Sequence, residues 1–136
     1  MLRTVLPGNA PAPYLSRLFA VAVLALATVA NAVDRLPAED ARIEYLLAVV
    51  GSLHDVQFIR NGTAYGTTAA VRHLRTKLGI AGARVKTAED FIRYCGSESS
   101  VSGQPYEIRF PDGHVVRSAD FLKQKLTDFD RATGRR

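Results

Sequence analysis

Cys95 is the single cysteine of the chain, and His54, His73 and His114 are its only histidines. A thiol beside an imidazole is the least machinery that covalent catalysis needs, because the ring takes the proton and the thiolate attacks. The local pattern points to burial instead. Cys95 follows Phe91 by four residues, on the apolar side of a short helical stretch, where a thiol is inert. The histidines make a poor metal site. No two stand three or four residues apart, and no carboxylate cluster accompanies them. They read as exposed side chains. Glu89 and Asp90 point about 100° apart on a helix and do not share a proton easily. Their place in a first turn, against the positive end of the helix dipole, explains them.

Two further stretches could hold a ligand. Ser97, Ser99, Ser100 and Ser102, with Gly103 and then Tyr106, could surround an anion with hydroxyls, N–H groups and a ring. The plain alternative is a crossing from helix to strand whose side chains satisfy the backbone. Between Asp55 and Glu89 there is no acid, while Arg60, Arg72, His73, Arg75, Lys77, Arg84 and Lys86 all fall there. A field of one sign favours a phosphate-bearing lipid, a polysaccharide or an acidic protein face. A solvated helix face would look the same. The candidate binding residues are Arg60, Asn61, Arg75, Ser99, Ser100, Ser102 and Tyr106. No catalytic residue, metal ligand or cofactor is assigned.

These residues need elements to position them. Ile43, Leu46, Leu47, Val50 and Leu53 recur at spacings of three and four and predict a helix over 38–53. Val56 to Arg60 reads as a strand, Asn61-Gly62 as a two-residue hairpin turn, and Thr63-Ala64-Tyr65 as the return strand. Thr67 or Thr68 caps a second helix to about Leu78, with Arg72, Arg75 and Lys77 in water. Gly79 and Gly82 end it. Thr87 caps a short third helix that turns Phe91, Ile92 and Cys95 inward. Tyr106–Phe110 and His114–Arg117 form a second hairpin around Pro111-Asp112-Gly113. Ser118 caps a last helix with a stripe of Phe121, Leu122, Lys125, Leu126 and Phe129. Two hairpins, each followed by a helix, predict an α+β fold: about four helices on a small antiparallel sheet.

The N-terminus supplies an address. Arg3 and Arg17 are the only charges before an Ala-rich apolar run that ends at Ala30-Asn31-Ala32. Charged start, apolar middle and small-x-small end are the order of a secretory signal, cleaved after Ala32. The run falls short of the roughly 20 residues that span a bilayer. The organisation expected is therefore a signal peptide over 1–32 and one domain over 33–136. Without the leader, sixteen basic and thirteen acidic residues remain, a net charge of +3. That is too mild to argue for nucleic acid. One cysteine builds no disulfide scaffold, so folding rests on an apolar core.

Five blocks in register are familiar as a set: Phe58-Ile59-Arg60-Asn61-Gly62, His73-Leu74-Arg75-Thr76-Lys77, Ala88-Glu89-Asp90-Phe91-Ile92, Ser99 to Tyr106, and Ser118-Ala119-Asp120-Phe121-Leu122. Together they resemble the YfeK-like family of small exported bacterial proteins. The resemblance implies a periplasmic location and brings no activity with it. It also implies a cysteine in relatives at the positions of Val56 and Phe110, and a lysine at that of Glu98. A bridge between the first two would require neighbouring strands.

Two readings of function follow. The first is a non-enzymatic binding or accessory module of the periplasm, whose partner is an envelope protein or an anionic envelope component. The second is a small hydrolase or thiol enzyme using Cys95 or the serine-rich segment. Oligomeric state is left open.

Overall fold

The computed structural model describes residues 34–135, and the leader expected over 1–32, with its cleavage point, lies outside the described residues. Helix α1 (Pro37–Ser52) opens on Pro37 and Glu39-Asp40. Proline carries no N–H to leave unpaired there, and the two acids face the positive end of the dipole. Strands β1 (Gln57–Arg60) and β2 (Thr63–Tyr65) form the first hairpin. Asn61 and Gly62 turn it with φ of 50° and 76°, the left-handed pair that matches the twist of a two-residue turn.

Helix α2 (Thr67–Ala81) is longer than its sequence predicts. It runs through Gly79, because Ala81 is buried against the core and packing outweighs a glycine's cost of about 1 kcal/mol in a helix. Gly82, at φ 52°, stops it. Neither Thr67 nor Thr68 caps it, since Gly66 holds the cap position without a side-chain bond. Thr87 does cap α3 (Ala88–Phe91), in a reciprocal box with Asp90. Beyond Phe91 the chain widens into a π-turn over Ile92–Gly96. Strands β3 (Glu107–Arg109) and β4 (Val115–Arg117) make the second hairpin, and α4 (Ser118–Ala132) closes the chain. Ser118 is not its cap. It is the first helical residue, is buried, and its N–H donates to the Tyr106 carbonyl at 2.8 Å.

The two hairpins join into one antiparallel sheet of four strands, ordered β2-β1-β3-β4. Gln57 lies opposite Arg109, Phe58 opposite Ile108 and Ile59 opposite Glu107. Val56 precedes β1 and Phe110 follows β3, next to the Gln57–Arg109 pair at one end of this ladder. The helices cover one face of the sheet around a core that contains Leu46, Leu47, Leu74, Phe91, Ile92 and Leu122. The architecture is α+β, as the patterning predicts. Among the described residues no helix is long and apolar enough to cross a membrane.

One buried ion cluster ties the helices together. Arg42 of α1 is 5% exposed. Its Nε and Nη2 hold Asp130 of α4, Nη1 and Nη2 hold Glu89 of α3, and Nη1 also holds Glu39. Five contacts use every N–H a guanidinium has. Glu39 accepts further from the Ala88 N–H and from Arg135.

Candidate functional site

A half-open recess of about 290 Å³ opens between the first hairpin, α2 and the start of β3. Its walls include Phe58, Ile59, Ala69, Ala70 and Leu74, and its polar lining includes Arg60, Tyr65, Arg72, His73 and Tyr106. Among the described residues no carboxylate lines it. Residues 58, 60 and 65 lie on one face of the hairpin through the two-residue period of strands. Ala69, His73 and Lys77 follow one another at helical spacing on α2, beside the buried Ala70–Leu74 stripe.

Polar side chains in the recess are linked in a row. Arg60 Nη1 lies 2.7 Å from His73 Nδ1. The same Nη1 lies 3.3 Å from Nε2; a guanidinium only donates, so the shorter contact assigns Nδ1 as the acceptor and the imidazole proton to Nε2. That Nε2–H donates to Tyr106 Oη at 2.9 Å. Arg60 Nη2 donates to Tyr65 Oη at 3.2 Å, and the guanidinium carbon stands 4.8 Å from the Tyr65 ring centre. Lys77 Nζ donates to the Glu98 carbonyl at 2.6 Å, reaches Tyr106 Oη at 3.4 Å, and lies 5.0 Å from that ring's centre. Both tyrosine hydroxyls are acceptors in this row. Each therefore keeps its own hydrogen for another group.

The electrostatics follow from burial and from charges of one sign. Burial, then the Arg60 and Lys77 cations, hold the His73 pKa below its ordinary value. Burial lowers Lys77 as well and raises Tyr106. Histidine is thus kept neutral and the phenol protonated. Arg60 is half-buried and forms no ion pair among the described residues. A cation removed from water is costly unless an anion or several hydrogen bonds compensate it, and Arg60 has only neutral partners.

The seven sequence-derived candidates fall into three groups. Arg60 and Tyr106 meet in the recess. Asn61, Ser99 and Ser102 belong to an adjoining turn structure. Ser102 Oγ donates to Asn61 Oδ1 at 2.7 Å, which joins the hairpin tip to the serine segment. Ser99 is buried, and its hydroxyl accepts from the Val101 and Ser102 N–H groups. Its carbonyl accepts from Gly103 at 2.8 Å, closing the loop on itself. Ser100 is exposed beside it. Arg75 lies elsewhere: it pairs with Glu44 of α1, with Nη2 at 2.7 Å from the carboxylate, and that pairing lowers the Glu44 pKa.

Tyr65, His73 and Lys77 are missing from the sequence-derived set. His73 is half-buried instead of exposed, and Lys77 is half-buried instead of wet. The signal available was the four-residue step from His73 to Lys77 on the same helix as Ala70 and Leu74. Cys95 is wholly buried, and burial pushes its thiol pKa up.

Comparison with known proteins adds a family. The profile described as Family of unknown function (DUF5329) matches residues 37–130. The chain belongs to the DUF5329 family. A curated relative, the uncharacterized protein YfeK of Salmonella typhimurium strain LT2, is 46% identical over 68 residues. That stretch is 50% of this DUF5329 chain and 57% of the relative. No solved structure matches the chain. The DUF5329 match spans the recess, the serine loop and the Arg42 cluster alike.

Proposed function

We propose that this DUF5329 chain is a non-enzymatic binding module of the periplasm, where it takes up an anionic envelope component at the recess beside Arg60. One observation carries the reading: a half-buried guanidinium with neutral partners, aimed into an apolar cavity without a carboxylate. Two tyrosine hydroxyls add donors at the same place. The charged start, apolar run and Ala30-Asn31-Ala32 of the N-terminus support export.

A catalytic reading has less behind it. Cys95 is sealed in the core with its proton held on, whereas a nucleophilic thiol is exposed and acidic. The Ser99 hydroxyl is spent on its own loop.

The test places a photoreactive amino acid at the exposed Ser100 position in intact cells. Cell fractionation is expected to recover the chain, lacking residues 1–32, from the periplasm. Intact-mass analysis after illumination is expected to show a defined adduct that Arg60→Ala abolishes without changing the melting temperature. Full-length chain in the cytosol, or an adduct indifferent to Arg60, would overturn the reading.

A further inference from the structure

We propose that the occupant of the recess is a free small carboxylic acid bearing an aromatic or branched apolar body, an inference that rests on the binding reading above. Volume, wall chemistry and donor pattern lead to it separately.

An apolar cavity of about 150 Å³ holds one benzene molecule. The recess, at about 290 Å³, is near twice that. One ring or branched chain with a short arm and an anionic head fills it. Phe58, Ala69, Ala70 and Leu74 offer such a body the apolar contact it needs.

The head is defined by what surrounds it. Arg60 spends one N–H on His73 and one on Tyr65, leaving three of its five. Tyr65 and Tyr106 accept from their neighbours under the Nε2–H assignment, and neither hydroxyl donates to a protein group among the described residues. All of these groups donate. A carboxylate only accepts, through two oxygens. His73 cannot accept from the ligand, because Nδ1 is occupied by Arg60 and Nε2–H by Tyr106. An alcohol or amide offers the guanidinium no charge, and its donors find only the Thr76 and Ser118 hydroxyls among the remaining lining side chains. Lys77 does not line the recess and its ammonium is held by the Glu98 carbonyl, so Arg60 is the one half-buried cation on the lining, and it balances one negative charge. A phosphate monoester carries about two, and the next cation on the lining, Arg72, is exposed at the rim.

The probe is 3-phenylpropanoate, titrated calorimetrically at low salt against the full domain. It is expected to bind saturably at one site. Its uncharged analogue 3-phenylpropanol is expected to bind at least about tenfold more weakly, the effect of losing a charge-assisted hydrogen bond. Arg60→Gln should weaken the acid by a similar factor. Tyr106→Phe keeps the ring and removes one donor, for a loss of about threefold to tenfold. Circular dichroism confirms that each variant is folded. Three outcomes overturn the assignment: equal binding of the alcohol, tighter binding of phenyl phosphate, or tighter binding of N-acetyl-glycyl-phenylalanine, which would move the site to a peptide terminus. Absence of binding by every probe overturns it too. If the Arg60-dependent adduct in cells persists, only the ligand class has failed; if that adduct is also absent, the binding reading fails with it.

Discussion

Arg42→Met removes the centre of the buried ion cluster while keeping most of the side chain's apolar length. Arg42 touches three acids on three helices. They are not equally placed to survive its loss. The Glu89 side chain is 61% exposed and that of Asp130 20% exposed, so water can reach both. Glu39 has a side-chain exposure of 5% and keeps only the Ala88 N–H and Arg135. The cost is therefore mainly that of a buried carboxylate left with one half-exposed cation and one N–H. Breaking a buried pair from one side costs about 3–5 kcal/mol, a large share of the roughly 5–15 kcal/mol that holds a domain of this size. At about 4 °C per kcal/mol, the melting temperature falls by about 12–20 °C. Glu39→Leu added to Arg42→Met removes the stranded charge, and most of the loss should return, because an apolar replacement of a buried pair is near neutral. Urea and thermal melts measure both. A single variant within about 2 °C of the parent, or a double variant showing the sum of two losses, would refute the reasoning.

Three further outcomes follow from the geometry. Gly96→Ala places a Cβ 2.5 Å from Leu122 Cδ1, and Leu122 is wholly buried, so the variant should lose about 1–3 kcal/mol in urea melts; an unchanged midpoint would contradict the packing. The unfolded chain protonates His73 near the ordinary value of 6.5, while the folded site resists protonation. Its stabilising contribution is complete above that pH and is lost as pH falls from there through the folded value, so urea midpoints at pH 7.5 and 5.5 should differ less in His73→Gln than in the parent; equal differences would sink the idea. Cys95 should react with a thiol reagent far more slowly than a peptide thiol until denaturant is added, and native-rate labelling would show that the core is open.

The scaffold was legible because its signals are local. Ile43, Leu46, Leu47 and Val50 repeat with the helical period, Asn61-Gly62 is a turn whose two residues accept positive φ, and Thr87 with Asp90 makes a complete cap. Helix ends were less legible. Gly79 and Ser118 have the chemistry of a stop and a start, yet burial of Ala81 and of Ser118 itself decides their places. The recess was legible only in part. Arg60 and Tyr106 stood out as unexplained residues, whereas His73 joins them across a contact between α2 and the sheet that no short window contains. The same limit hid the Arg42 cluster. Glu39 and Arg42 continue the Ile43–Leu46 stripe toward the N-terminus, so two charges occupy the buried face, and their compensation comes from Glu89 and Asp130 far along the chain.

An NMR titration of the ¹⁵N-labelled domain with 3-phenylpropanoate locates the site most directly. Saturable shifts should gather on Arg60, Tyr65, His73 and Tyr106, with the His73 Nε2–H tautomer retained. Shifts spread evenly over the basic surface, reaching Arg75 and Arg84 as strongly as Arg60, would contradict a built anion site.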